Sequence, residues 1–179
     1  MAADFLRDGL VVFAWFGLMA FVWLGWAQED PPPGTSIWLG LGSGVGLLAA
    51  VGGGLLVWQH WDSSSALDGQ YASFGLLVGA EVLLAGLSCL VLWRLGRTPW
   101  FSVGVAVVVA LHFVPLGLML SDPALVALGV VQVTLVIAAA RVAHARQLTP
   151  SFAVGVAMGA TLLAAAAIAA AVWVPDALR

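Results

Sequence analysis

Two ionisable side chains, Glu81 and His112, and one neutral amide, Gln132, lie inside long apolar stretches of this sequence. A carboxylic acid and an imidazole that face each other share protons and titrate as a unit. A neutral amide can donate to one of them and accept from the other. An ionisable group inside a membrane span is costly unless it is paired, and such groups typically mark proton or ion pathways. The chemistry therefore depends on whether the surrounding elements place the three residues together.

The composition shows that these elements lie in lipid. Of the 179 residues, 63% are hydrophobic and 8% are charged, whereas a soluble domain carries about 25% charged residues to cover its surface. Uncharged runs such as 9–27 and 31–59 are long enough to cross the hydrocarbon core of a bilayer. Irregular backbone cannot face lipid, so these runs must be helices. The bilayer is thus the first predicted partner.

We predict an all-α fold, a polytopic membrane bundle of six transmembrane helices with short loops, forming a single domain over 1–179. The helices cover about 5–27, 36–60, 73–95, 99–120, 123–143 and 150–174. The last three start at Thr-Pro, Asp-Pro and Thr-Pro, where Thr98, Asp122 and Thr149 can cap and proline takes the first helical position.

An even number of crossings puts both termini on one side, here called the terminal side, together with the loops near 61–72 and 121–122. The opposite side carries the loops near 28–35, 96–98 and 144–149, with four arginines against two on the terminal side. The positive-inside rule then predicts extracytoplasmic termini. The lysine-free, alanine-rich composition is typical of a GC-rich bacterium and hence of a multi-pass inner (plasma) membrane protein.

The rise of an α-helix places the polar residues at one depth. Counted from the terminal side, Glu81 and His112 each lie about 12 Å deep and Gln132 about 13 Å deep. Trp15, in the first helix, lies close to the same level. We therefore predict a polar layer in which protonated His112 pairs with Glu81 and Gln132 adds a neutral donor and acceptor.

Two further residues are candidates around this layer. Pro115 has no N–H and leaves the carbonyl of Leu111 without its helical partner, beside His112. That carbonyl could accept a bond from a side chain or a ligand. His60, in WQHWD at the terminal-side end of the second helix, is a candidate for the mouth of a cavity, or simply an interfacial residue.

Several classes of function are disfavoured. No basic patch is present to bind nucleic acid, and a chain without lysine cannot form a Schiff base. We predict no catalytic residues and no metal, because Glu81 and His112 lack a third strong ligand at their depth. No cofactor is expected, since the three histidines differ too much in depth for two-histidine haem ligation. An enzyme is thus uncertain and disfavoured.

Three functions remain open. The first is a transporter or channel for a small solute or ion, in which the buried Glu–His layer titrates. The second is a protein that binds a hydrophobic ligand or cofactor, with Trp15 among the aromatic contacts. The third is a structural or assembly subunit in which the polar residues only tie helices together. Glycines spaced four residues apart, as at 42–46, 75–79 and 155–159, favour close helix packing within the chain or in a homo-oligomer.

The stretch LHFVPL at 111–116 resembles a sequence found in small bacterial six-helix membrane proteins. The resemblance covers that stretch and the general helix pattern. It implies the six-helix fold and a bacterial membrane, and it carries no activity that can be transferred to this chain.

Overall fold

The computed structural model describes residues 5–179, which form six α-helices and one short 3-10 helix, Thr98–Trp100. Each α-helix, the fourth together with the 3-10 helix, is long and apolar enough to cross a membrane. The predicted all-α six-helix fold is therefore confirmed, and the chain is a multi-pass membrane protein. In chain order the helices are α1 (Leu6–Trp26), α2 (Ser36–Gln59), α3 (Tyr71–Arg94), α4 (Phe101–Met119), α5 (Pro123–Arg146) and α6 (Pro150–Ala177).

Helices α5 and α6 are each three residues longer than predicted. Helix α5 ends at Arg146, and the residue that caps it, Gln147, adopts a left-handed conformation with φ 56°. The next N–H, that of Leu148, then donates back to the carbonyl of Ala143 and satisfies it. Helix α6 continues through Pro175, because a proline near a helix end costs only the one hydrogen bond that its missing N–H would have made.

The predicted cap at the start of α5 is confirmed. The Asp122 carboxylate accepts a 2.9 Å hydrogen bond from the N–H of Ala124, and Pro123 occupies the first helical position. Asp122 is almost fully buried. Its cap satisfies one of the free N–H groups of a helix that begins inside the protein.

The predicted caps at Thr98 and Thr149 are wrong. Thr98 lies inside the 3-10 helix, which Arg97 precedes. The Thr149 hydroxyl instead donates to the main-chain carbonyl of Asp30 at 3.0 Å. The loop after α1 supplies this acceptor, so a long-range contact takes the hydroxyl away from its local capping role.

Helix α1 is the central helix of one half of the bundle, packed between α2 and α6. Two of the three predicted glycine pairs form these contacts. Gly46 meets the backbone of α1 at Gly17, and Gly155 meets it at Trp23. The pair Gly75–Gly79 in α3 lies in open space, since a Cβ added at either residue would meet no atom within 4 Å. Close helix packing is thus concentrated on α1.

The other half of the bundle is built on α4. This helix packs against α3 on one side and against α5 on the other. Helix α5 in turn packs against α6, which connects this half to the first. Aromatic contact links the halves, since the rings of Phe16 and Phe113 meet edge to face at 5.6 Å. Helix α3 lies at the edge, with no fully buried residue; among the described residues it packs mainly against α4, with smaller contacts to the 3-10 helix.

The loop between α2 and α3 crosses the terminal-side end of α1. The Asp8 carboxylate accepts a 2.7 Å bond from the N–H of Ala66, and the Arg7 guanidinium donates to the carbonyl of Trp61 at 2.6 Å. Arg7 also pairs with Asp68 at 3.3 Å. These bonds hold the connection to the edge helix α3 over the end of the central helix.

Asp68 makes this loop sensitive to acid. The main-chain N–H of Ser65 donates to its carboxylate and is the main cause that holds the pKa of Asp68 below the ordinary 3.8, with smaller effects from Tyr71 and Arg7. A group with a lowered folded-state pKa stabilises the fold above its unfolded-state value and loses that contribution as the pH falls through the folded value.

We therefore expect Asp68→Asn to lower the melting temperature slightly at pH 7, with the difference from wild type shrinking as the pH falls below the ordinary pKa of 3.8 toward the lowered pKa of folded Asp68. Thermal unfolding in detergent between pH 3 and 7 measures this. Asp62→Asn, an exposed acid of the same loop, is the control and should follow wild type throughout. A difference that persists unchanged at low pH would contradict the role given to the carboxylate charge.

Candidate functional site

Glu81 and His112 meet inside the bundle. The Nδ1 atom of His112 lies 3.3 Å from Oε2 of Glu81. The side chains are 21% and 9% exposed for Glu81 and His112, respectively. In the part of the chain that the structure describes, no acceptor meets hydrogen-bond geometry at this Nδ1. The two atoms are thus within ion-pair distance but do not form a directed hydrogen bond.

The position of Glu81 follows from the way α3 packs. The partly buried residues of α3 recur every three or four positions and form one seam against α4; they are Phe74, Leu77, Val78, Glu81, Ala85, Ser88, Cys89 and Leu92. Gly104 of α4 allows close approach, because an added Cβ there would lie 3.0 Å from Ser88 Oγ. Seven residues separate Glu81 from Ser88, and eight separate Gly104 from His112. An antiparallel pair in this register sets the two ionisable groups opposite each other.

His112 is tied to the core through its neighbour. Its ring packs against that of Phe113 at 6.1 Å in an edge arrangement. Phe113 is 5% exposed and in turn contacts Phe16 of α1. The imidazole is thus held by the bundle, whereas the carboxylate is carried by the edge helix α3.

This pair can hold a variable number of protons. With one proton it has no net charge, whether as carboxylate and imidazolium or as carboxylic acid and imidazole. Adding a second proton makes the pair positive, and removing the first makes it negative. Because net charge is costly in a membrane, either change alters the free energy of the α3–α4 contact.

Gln132 does not complete this pair. It is fully buried in α5, where its Nε2 donates a 3.1 Å bond to the Thr161 hydroxyl of α6. Thr161 Oγ1 also lies 2.9 Å from the carbonyls of Ala157 and Met158, to which it can donate. Helices α3 and α5 do not pack against each other. The predicted layer is thus divided into one polar contact between α3 and α4 and another between α5 and α6.

The remaining candidates lie elsewhere. Trp15 is 54% exposed and lines an open groove of about 240 Å³ between α1 and α2. Pro115 lies within α4 with its side chain exposed, and Leu111 one turn earlier is also exposed, so this part of α4 faces outward. His60 directly follows α2, and its Nδ1 lies 3.0 Å from the carbonyl oxygen of Leu56. Neither this groove nor the cavity described next is lined by His60.

Sequence reasoning missed a second cavity, of about 430 Å³, on the opposite side of the bundle. It lies where α1 ends and where α4 and α6 begin. The available signals are the acidic QED loop and the two Thr-Pro helix starts, which taken singly indicate only turns and caps. Its lining consists of Trp26, Glu29, Asp30, Thr98, Pro99, Phe101, Ser102, Thr149, Pro150 and Ser151.

Among residues 5–179, no group of three or more His, Cys, Asp or Glu side chains is placed so that it could hold a metal ion.

No protein-family model, curated protein or solved structure matches this chain. The fold defines a class, the multi-pass six-helix membrane proteins. Any more specific function has to be argued from the residues themselves.

Proposed function

We propose that this protein is a proton-coupled carrier or channel for a small solute or ion, with Glu81 and His112 as its proton-binding pair. The observation that carries the proposal is the 3.3 Å contact between these side chains, on two helices that are each apolar enough to span the membrane. Ionisable residues at such positions are rare and typically belong to proton relays.

The way α3 packs supports a role for this helix as the part of the carrier that moves. No residue of this helix is fully buried, and in the described part of the chain its main packing partner is α4. A change in the charge of the pair therefore acts on the seam that holds α3. Pro115, three residues after His112, removes one backbone hydrogen bond of α4 and lowers the cost of bending there.

We further propose an inner-membrane location with both termini outside the cytoplasm. The support is the charge distribution, since Arg94, Arg97, Arg141 and Arg146 belong to the side opposite the termini. Short cytoplasmic loops carry such an excess of basic residues.

The test is proton flux into proteoliposomes that contain the full-length protein and an internal pH-sensitive dye, driven by a potassium-diffusion potential. Wild type is expected to acidify the lumen faster than protein-free liposomes, and Glu81→Gln is expected to reduce the rate to the protein-free level. Ser88→Ala, two turns further along the same seam of α3, is the matched control and should retain wild-type flux. Equal flux in Glu81→Gln and wild type would overturn the proposal.

A non-catalytic assembly subunit is the second candidate. The hydrogen bond between Gln132 and Thr161 supports it, because this contact ties two helices together without any titratable group. Under this alternative the Glu81–His112 contact is a second structural contact, which holds α3 against α4. Wild-type protein would then show no flux above protein-free liposomes, while loss of either partner would still lower stability.

A further inference from the structure

The cavity of about 430 Å³ at the opposite side of the bundle has the size of a small-molecule site. Three separate segments build its wall: the loop after α1, the start of α4 and the start of α6. The Thr149 hydroxyl bonds to the carbonyl of Asp30 and fastens the first segment to the third. A site made from three fixed segments is largely formed before any ligand arrives.

Ser102 lies in this wall with an unused hydroxyl. The residue is 1% exposed, and its Oγ has no hydrogen-bond partner among residues 5–179. A buried hydroxyl without a protein partner is unfavourable, and a ligand or water that bonds to it removes that cost. Because a hydroxyl can both donate and accept, it can accept an N–H from a bound molecule.

The charge of the lining favours a cation. Glu29 and Asp30 contribute two carboxylates, and none of the described lining residues is basic. The helix starts at Thr98 and Pro150 oppose them with a partial positive charge of about 0.5 each at most. The two full negative charges exceed the two partial positive ones, so the cavity attracts positive charge.

The aromatic lining favours an organic cation over a metal ion. Trp26 and Phe101 contribute aromatic side chains to the lining, and aromatic rings attract ammonium groups. The Trp26 ring is held by stacking on Trp23, at 5.4 Å and 20° between planes, and Trp23 itself is buried. A cavity of this volume, with rings on its wall and no cluster of three metal ligands among the described residues, suits a molecule with an apolar body.

We propose that this cavity binds a protonated amine that keeps at least one N–H and carries an apolar or aromatic body. Glu29 and Asp30 supply the opposite charge, Ser102 accepts the N–H, and Trp26 and Phe101 contact the body. The amine is either a free molecule or the ethanolamine headgroup of a phospholipid, since both present the same ammonium group at the membrane surface.

The site is independent of the proton-binding pair. Ten residues of α4, about 15 Å along the helix, separate Ser102 from His112. Binding can therefore be measured without any transport, and failure of the flux experiment would leave this proposal standing.

The test is isothermal titration of phenethylamine at pH 7 into the full-length protein in nanodiscs of phosphatidylglycerol alone. Wild type is expected to bind, and Ser102→Ala to bind about tenfold more weakly, as for loss of a hydrogen bond to a charged group. The double variant Glu29→Gln/Asp30→Asn should lose more affinity for phenethylamine than Ser102→Ala does. Ser88→Ala and Asp176→Asn, which lie outside the cavity, should bind as wild type.

Two further ligands separate charge from hydrogen bonding. Phenethyltrimethylammonium keeps the charge but has no N–H, so it should bind wild type more weakly than phenethylamine and be insensitive to Ser102→Ala. Phenethyl alcohol has no charge and should bind poorly. Equal affinity for the alcohol, wild-type affinity in the Ser102 and acidic variants, or no binding heat at all would overturn the proposal.

The source of the amine is decided by changing the lipid. If the ethanolamine headgroup is the natural occupant, replacing half of the phosphatidylglycerol by phosphatidylethanolamine should weaken the apparent affinity for phenethylamine by competition. Unchanged affinity in that mixture identifies a free amine as the ligand. Both results support the ammonium site.

Discussion

Gly155→Ala is expected to destabilise the bundle by about 1–3 kcal/mol, the range of overpacking in a tight core. A Cβ at this position would lie 2.6 Å from the main-chain oxygen of Trp23 and 2.9 Å from the Ala27 Cβ. The first of these atoms belongs to the backbone of α1, which cannot rotate away as a side chain can. Helix α6 would have to move outward from α1 along its length.

The other flank of α1 should respond in the same way. A Cβ on Gly46 of α2 would lie 2.7 Å from the main-chain oxygen of Gly17. Gly46→Ala therefore separates α2 from α1, just as Gly155→Ala separates α6 from it. Since lipid is as apolar as these helix faces, their association depends on such close contact.

Unfolding in mixed micelles of dodecyl maltoside and sodium dodecyl sulfate measures both effects. Gly44→Ala is the matched control, because it belongs to the same helix as Gly46 and a Cβ added there would meet no atom within 4 Å. Alanine favours a helix over glycine, so this control should be as stable as wild type or more so. If Gly155→Ala and Gly46→Ala were as stable to unfolding as Gly44→Ala, this would contradict the close packing of α1 against α6 and α2.

Removal of one partner of the Glu81–His112 pair has the second large expected effect. Glu81→Leu leaves the imidazole of His112, which is 9% exposed, without its partner. His112→Leu leaves the carboxyl group of Glu81 in the same position. Breaking a buried pair in this way costs about 3–5 kcal/mol in soluble proteins, and the partial exposure of Glu81 places the expected cost near the lower end.

The double variant Glu81→Leu/His112→Leu should recover much of the lost stability, because it removes both polar groups and leaves leucines in an apolar seam. The same unfolding assay on the wild type, the two single variants and the double variant completes a double-mutant cycle, with an expected interaction energy of about 2 kcal/mol between Glu81 and His112. Strict additivity of the two single variants would contradict direct coupling of the pair. Ser88→Ala, whose hydroxyl bonds only within α3 to the carbonyl of Ala85, is the control for the seam.

The predicted pair and the missed cavity differ in the kind of signal that each left in the sequence. Glu81 and His112 stand out because each is an ionisable residue inside a long apolar run, and the fixed helix rise gives their depth. The cavity is made of loop residues and helix starts that come from three distant segments, 26–30, 98–102 and 149–151. Such residues are ordinary in loops, so only their convergence indicates a site.

The partner of Gln132 could not be predicted for a related reason. The helix rise gives an expected depth for Gln132, but the sequence does not show in which direction around the axis of α5 this side chain points. Soluble helices reveal their buried face by an apolar stripe against a polar one. Helix α5 is apolar on nearly every side, so nothing in the pattern indicated that Gln132 turns toward Thr161 of α6.

What the sequence determined by itself is the number of helices and their limits to within about three residues, because these follow from apolar length. The tertiary structure alone decided which helices are neighbours, with α1 between α2 and α6 and α3 at the edge. The physical reason is that lipid and apolar side chains are equivalent surroundings for a transmembrane helix. Neighbours are then selected by shape, through glycines such as Gly46 and Gly155, and shape complementarity exists only once the helices have met.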